Sequence, residues 1–369
     1  MDKKSYFPLI DLLRGFAAIS VVVYHVIEHF NWKEFPVSGP LLWFRIGWIG
    51  VDLFFVISGF VISLSAFSLL DRLDGRRFIE SFIKRRVARI LPLHYLTCLF
   101  FLAIVAPEII LQANFIGNAI SHLGFFHNLS WRFHGAINGP NWSIGVEMQF
   151  YLLVVILAPI MRTCRWWLIP LVAFPLAWGW RYSVFNIVPI DTTVGPFYRF
   201  WACTQLPGTL DQFAVGVVLA RLMRSRRAAY IPDFLARKPY VIAVASALAV
   251  WLMLELYWPQ ASFWDHAAMV VIWRSLAAVS LGLVVLFACS IRSVSVIAAT
   301  TPLRYLGTIS YGIYLWHLAI IIAVKRIEGI AHGTALALVV LLSIILASVS
   351  WHFFEKPFVS KGSPNPKAT

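Results

Sequence analysis

The sequence predicts an all-α integral membrane protein with about ten transmembrane helices and both termini in the cytoplasm. Of its 369 residues, 60% are hydrophobic and only 13% are charged, which is more apolar surface than a soluble domain of this length can bury. Runs of about 20 apolar residues, the length that crosses a bilayer as a helix, recur along the whole chain. The basic residues concentrate in alternate segments between these runs.

Ten apolar runs are predicted to span the membrane. The run that follows Met1-Asp2-Lys3-Lys4 contains Arg14 and His25 and shows no small-residue cleavage pattern, so we interpret it as a retained first helix rather than a signal peptide. Residues 1–358 form one predicted transmembrane domain, followed by a short cytoplasmic tail at 359–369. The predicted spans are 9–30, 46–70, 90–106, 142–162, 166–181, 205–222, 240–258, 267–290, 304–324 and 334–354.

The distribution of basic residues predicts the orientation. With the N-terminus in the cytoplasm, 22 of the 31 Lys and Arg residues fall on the cytoplasmic side and seven on the outer side. Short cytoplasmic loops carry such an excess of Lys and Arg. The net charge of +14 therefore indicates membrane topology and contact with lipid, not nucleic acid. We expect a multi-pass protein of the cell inner (plasma) membrane.

Few features indicate a cofactor or a metal. The four cysteines (Cys98, Cys164, Cys203 and Cys289) lie scattered along apolar helices, which predicts neither a disulfide framework nor a metal site. The largest outer segment, about 107–141, contains His122, His127 and His134 and is predicted to lie along the interface or to dip into the membrane.

Arg14 and His25 are ionisable residues inside the first span. Their spacing of 11 residues amounts to about three helical turns with a residual rotation of about 20°, so both face the same way about 16–17 Å apart along the axis. A polar stripe of this kind can link the two sides of the membrane. The spacing alone leaves open an arginine that snorkels to the interface and a histidine satisfied by helix packing.

Arg85, Arg86 and Arg89 lie where the third helix leaves the cytoplasm. Arg86 and Arg89 are three residues apart and share a helix face, so their guanidinium groups could grip a phosphate. An ordinary cytoplasmic cluster of basic residues explains the same pattern, and the pattern by itself favours that explanation.

Three carboxylates in the predicted outer half of the membrane could orient His25 or raise its basicity. These are Asp52, at the start of the second helix, Glu147, early in the fourth, and Asp211, in the outer half of the sixth. Asp52 and Glu147 could equally well favour the positive end of a helix dipole. We expect Glu255 and Arg274 to pair with each other.

Two further polar features can be explained without a catalytic role. Tyr311, Tyr314 and His317 share a helix face, which an aromatic interface belt explains about as well as a substrate channel. His94, beside Pro92, is expected to serve packing.

Six stretches, in order along nearly the whole chain, form a recognisable set. They are Leu12-Leu13-Arg14-Gly15-Phe16-Ala17-Ala18 through His25, Gly50-Val51-Asp52-Leu53-Phe54-Phe55-Val56-Ile57-Ser58-Gly59-Phe60, Arg86-Val87-Ala88-Arg89-Ile90-Leu91-Pro92, Asn141-Trp142-Ser143 through Glu147, Ser310-Tyr311-Gly312-Ile313-Tyr314-Leu315-Trp316-His317, and Phe354-Glu355-Lys356-Pro357-Phe358. Each is weak alone, but the ordered set resembles the membrane-bound acyltransferase family 3. The resemblance implies that His25, with Arg14, belongs to the catalytic site and acts as its base. It also implies that Arg86 and Arg89, with Arg85, contact an acyl-CoA donor.

The resemblance implies transfer of an acyl group, most simply acetyl from acetyl-CoA, to a hydroxyl of an extracytoplasmic carbohydrate or lipid-linked glycan. The extracytoplasmic esterase-like domain that some relatives carry is not expected in this chain. No permanently bound cofactor is expected, and a partner protein remains open. Two alternatives are a proton-coupled secondary transporter, since intramembrane His, Asp and Glu also form proton relays, and an exporter or flippase for lipid-linked glycans.

Overall fold

The computed structural model describes residues 7–37, 39–189, 194–224, 238–257, 263–291 and 293–362. This part of the chain is helical and contains no strand. Its α-helices, in chain order, are α1 (Pro8–His29), α2 (Gly50–Leu70), α3 (Gly75–Phe100), α4 (Phe115–Leu123), α5 (Trp142–Thr163), α6 (Leu168–Ile187), α7 (Gly195–Cys203), α8 (Leu206–Arg224), α9 (Pro239–Tyr257), α10 (Arg274–Ser290), α11 (Val294–Ala299), α12 (Thr301–Thr308), α13 (Ser310–Val324), α14 (His332–Ser350) and α15 (Lys356–Gly362).

Seven helical segments of the described residues are long and apolar enough to cross a membrane, or eight if the bent pair α12 and α13 forms one span. The all-α membrane architecture is confirmed, whereas the count of about ten spans and the orientation of the termini stay predictions. Two of the predicted spans, at 166–181 and 205–222, correspond to α6 and α8, which are absent from that set of seven or eight. Both helices carry buried charges, which lower their mean hydropathy.

The chain divides into two compact units. Unit 1 comprises Met1–Leu13, Asp52–Phe78 and Gln149–Thr301, and unit 2 comprises Arg14–Val51, Ile79–Met148 and Pro302–Thr369. The predicted tail at 359–369 lies largely outside the described residues.

Close packing of α2 against α8 builds the centre of unit 1. A Cβ atom added at Gly59 would lie 2.2 Å from the carbonyl oxygen of Phe213, and one at Gly216 would lie 2.1 Å from that of Val56. Glycine is therefore required at both crossing points, as at other close helix contacts in membranes.

Buried charges join α2, α6, α8 and α10 within unit 1. Arg181 Nη2 lies 2.6 Å from Asp211 Oδ2, and both side chains are fully buried. Arg274 Nη2 lies 3.4 Å from Asp52 Oδ1. The expected pairing of Arg274 with Glu255 is therefore wrong: Arg274 is buried, and the carboxylate buried beside it is that of Asp52.

In unit 2, α13 is anchored by polar side chains along its length. The phenol of Tyr311 donates to the carbonyl of Ile90 at 2.9 Å. The amide of Asn138 donates to the carbonyl of Leu315 at 2.9 Å. The indole of Trp316 donates to the hydroxyl of Ser350 at 3.3 Å. Contacts to three other segments thus hold α13 in one position.

Candidate active site

His25 meets a second imidazole in unit 2. Its Nδ1 lies 2.9 Å from Nε2 of His317 on α13, and the two rings are nearly parallel, with centroids 5.0 Å apart and an interplanar angle of 14°. His317 is fully buried, and His25 is half-buried. Helical spacing cannot indicate this contact, because the two residues are 292 positions apart. The sequence analysis named His317 only on a shared helix face with Tyr311 and Tyr314 and did not assign it to the site.

His317 is itself held by the main chain of α13. Its Nδ1 lies 2.7 Å from the carbonyl oxygen of Tyr314. The phenol of Tyr314 donates to the carbonyl of Pro140 at 3.0 Å and lies 2.8 Å from the hydroxyl of Ser143 at the start of α5. These contacts connect α13 with the N-terminus of α5.

The predicted carboxylates lie in different units. Glu147 follows Ser143 by about one turn on α5 in unit 2, and its charge acts on Tyr314. Asp52 belongs to unit 1, where its carboxylate accepts from Gln212 and pairs with Arg274. The hydrogen-bond partner of His25 in this structure is His317. An orienting role for Glu147 or Asp52 stays a prediction.

Arg14 lies on α1 of unit 2 and is half-buried. It precedes His25 by 11 residues, about 16–17 Å along the helix. At the next residue α1 packs closely against α12, because a Cβ atom added at Gly15 would lie 2.9 Å from that of Leu306. Arg14 is thus placed at a tight helix contact of unit 2.

The three predicted donor-binding arginines lie half-buried on α3. Arg86 lies over the ring of Phe82, 5.6 Å from its centroid. Arg89 lies over Trp351 at 4.9 Å, and its Nη2 donates to the carbonyl of Thr308 at 3.2 Å. Arg85, next to Arg86, is half-buried like the other two arginines.

Arg89 has a structural role that the sequence did not reveal. The chain bends by 70° between α12 and α13, which leaves main-chain carbonyls at the end of α12 without helical partners. Arg89 satisfies the carbonyl of Thr308 there, where a cation is also favoured by the helix dipole. The carboxylate of Glu355 interacts electrostatically with Arg89.

Buried histidines fill the segment at 107–141 of unit 2, which the sequence predicts to lie on the outer side. The rings of His122 and His127 stack with centroids 4.1 Å apart. Burial lowers the pKa of His122 and of His134 to about 3, and it also lowers the pKa of His127. All three are therefore neutral near physiological pH. His94 packs against Phe125 with centroids 4.5 Å apart, which confirms the packing prediction.

In the described part of the chain, no group of three or more His, Cys, Asp or Glu side chains is arranged to hold a metal ion. The imidazole and guanidinium groups of unit 2 could transfer protons and bind anions.

Comparison with known proteins identifies relatives along the whole chain. A sequence model described as "Acyltransferase domain" matches residues 7–353. YrhL of Bacillus subtilis, named as a candidate peptidoglycan O-acetyltransferase, is 29% identical over 97% of this chain and 55% of its own length. The O-acetyltransferase OatA of Staphylococcus aureus is 26% identical over 98% of this chain and 58% of its own length. The peptidoglycan O-acetyltransferase OatA of Listeria monocytogenes is 26% identical over 98% of this chain and 57% of its own length.

The chain spans little more than half the length of these curated relatives. No solved structure matches it.

Proposed function

The chain belongs to the acyltransferase domain family, and from this premise we propose that it transfers an acyl group to a hydroxyl of an extracytoplasmic carbohydrate. One observation carries the proposal. Within the matched residues 7–353, the half-buried imidazole of His25 is hydrogen-bonded to the buried imidazole of His317. A positioned imidazole is the commonest general base for activating a hydroxyl.

For the acceptor we propose a glycan of the cell envelope, with peptidoglycan as the first to test. The names of the curated relatives support this choice, since they describe O-acetyltransferases, two of them acting on peptidoglycan. These names do not support a transporter or flippase. For the donor we propose acetyl-CoA, whose thioester is an activated acyl group and whose phosphates suit arginine side chains.

The proposed reaction is a direct transfer. The hydroxyl oxygen of the acceptor attacks the carbonyl carbon of the thioester, a C–O bond forms and the C–S bond breaks. His25 takes the proton of the hydroxyl and passes it to the departing thiolate, so the products are the ester and free CoA. Arg14 would stabilise negative charge along the donor's path. Glu147, in the same unit, would favour the positive charge that His25 acquires as it takes the proton.

We assign donor binding to Arg85, Arg86 and Arg89 on α3. They lie in the same unit as Arg14 and His25, and their planar guanidinium groups match the geometry of phosphate oxygens. Because Arg89 also caps the end of α12, only part of its effect on activity would come from the donor.

The test measures ester-linked acetyl groups on the cell-envelope glycan by NMR. A deletion strain would carry an empty vector, the wild type, His25→Ala or His352→Ala at matched expression. His352 is an exposed histidine of unit 2 and serves as the control. We expect acetyl groups with the wild type and His352→Ala, and none with His25→Ala or the vector.

Washed membranes provide the second readout. With acetyl-CoA and soluble glycan fragments, release of CoA should depend on His25. Acetylation that persists with His25→Ala would show that the base is another residue, and loss of the glycan itself on deletion would indicate an exporter.

A further inference from the structure

We propose that His317 is a positioning residue that holds His25 in the tautomer protonated at Nδ1, so that Nε2 is the atom that accepts the proton. The inference rests on the proposed function for its catalytic consequence. Its structural part concerns only the hydrogen bonds of the two imidazoles.

The direction of these hydrogen bonds follows from the main-chain carbonyl of Tyr314, which accepts the last hydrogen bond of the series. A main-chain carbonyl only accepts, and Nδ1 of His317 lies 2.7 Å from that of Tyr314. Nδ1 of His317 therefore carries a hydrogen. In a neutral imidazole the other nitrogen then has a lone pair, so Nε2 of His317 accepts.

The same reasoning extends to His25. Its Nδ1 lies 2.9 Å from Nε2 of His317, so it must donate and must carry the hydrogen. Nε2 of His25 is left with the lone pair that a general base needs. The opposite tautomer of His25 would place two lone pairs face to face and leave no proton acceptor at Nε2.

Rigid support makes His317 suitable for this role. Its side chain is fully buried, and the carbonyl that accepts from it belongs to Tyr314, whose phenol is tied to Pro140 and Ser143. The Tyr314 carbonyl is oriented by the main chain of α13, and the contacts of the phenol hold that residue in place. In many catalytic sites a carboxylate orients the histidine that acts as the base. A neutral imidazole can orient the base without adding a buried charge.

Two substitutions of His317 separate positioning from packing. His317→Leu removes the acceptor, and His317→Gln supplies a side-chain oxygen that can accept from Nδ1 of His25. We expect His317→Leu to lower kcat about 100-fold, within the range of general-base effects, with the KM for acetyl-CoA unchanged. His317→Gln should recover a large part of kcat. His352→Leu, at an exposed histidine, should leave both constants unchanged.

Nitrogen-15 NMR of histidine-labelled protein in nanodiscs reads the tautomer directly. The His25 signals are assigned as those that disappear in His25→Gln. We expect the wild type to show Nδ1 protonated and Nε2 unprotonated, and His317→Leu to lose that preference. The inference is overturned if the wild type shows Nε2 protonated, or if His317→Leu leaves both tautomer and kcat unchanged.

The two readouts keep this inference distinct from the proposed function. If His25→Ala remains fully active while the wild type shows the expected tautomer, the base assignment fails and the hydrogen-bond assignment stands. If His25→Ala is inactive while the tautomer is the opposite one, the base assignment stands and the role of His317 fails. The wild-type spectrum decides the second point even if a variant of His317 does not fold.

Discussion

Arg181 and Asp211 form a fully buried ion pair on α6 and α8 of unit 1, with 2.6 Å between Nη2 and Oδ2. The charges of Arg181, Asp211 and Arg274 all act on the carboxylate of Asp52. These two arginines and two aspartates form a set of four charges whose sum is zero. We therefore propose three variants: Arg181→Met, Asp211→Asn and the double substitution. Each single variant leaves the set with one unbalanced charge, and the double variant restores its balance.

The expected free energies of unfolding follow from burial. Removing one partner of a buried pair leaves an uncompensated charge, which costs about 3–5 kcal/mol. The double variant loses hydrogen bonds, including those with Ser275, but buries no unbalanced charge, so it should cost only about 1–2 kcal/mol. It should therefore be more stable than either single variant by roughly 1–4 kcal/mol.

The assay is the free energy of unfolding by steric trapping in nanodiscs. Arg132→Met, at an exposed arginine, should change it by less than about 0.5 kcal/mol and controls for the loss of a surface arginine. If the double variant is no more stable than Arg181→Met alone, the cost comes from lost packing and the argument from charge balance is refuted.

Three further predictions concern unit 2 and the helix contacts of unit 1. Arg86→Ala should raise the KM for acetyl-CoA about 10-fold with stability unchanged, whereas Arg89→Ala should also lower the free energy of unfolding by about 1–3 kcal/mol, because it uncaps α12. The folded state should lose stability as the pH falls below about 6.5, because the unfolded chain then binds protons that buried His122, with its pKa of about 3, does not; His122 alone contributes about 2 kcal/mol of loss at about pH 5. Gly216→Ala should destabilise by about 1–3 kcal/mol through overpacking against α2, while Gly333→Ala, with nothing within 4 Å of the added Cβ, should not.

Each of these has an outcome that contradicts it. Equal stability of the Arg86→Ala and Arg89→Ala variants would argue against the cap on α12. The acid sensitivity should become smaller in His122→Asn when stability is followed from about pH 7 to about pH 5, and an unchanged slope would contradict the burial argument. Equal stabilities of Gly216→Ala and Gly333→Ala would refute the close approach of α2 and α8.

Much of the fold could be predicted from the sequence because membrane helices have a strong local signal. A helix in lipid must satisfy its own main-chain hydrogen bonds and present apolar side chains, so the predicted spans overlap helices of the described residues, although 304–324 covers the bent pair α12 and α13. The prediction was weakest at α6 and α8. Their buried charges are balanced by partners on other helices, and the mean hydropathy of a single segment does not take those partners into account.

The candidate site was predictable in part for the same reason. Arg14 and His25 stand out because charge within an apolar run is costly, whereas Arg86 and Arg89 were assigned through the family resemblance, since their spacing alone favours an ordinary basic cluster. The sequence did not show that Arg89 caps the end of α12, because that role depends on a bend in a distant segment.

The sequence by itself determined the membrane class, the helical architecture and, through ordered motifs, the family of this protein, since these depend on local composition and spacing. Only the tertiary structure decided which polar groups meet: His25 with His317, Arg274 with Asp52 in place of Glu255, and Arg89 with Thr308. Such contacts join residues far apart in the chain, and a buried polar group is stabilised by whichever partner packing brings within hydrogen-bond distance.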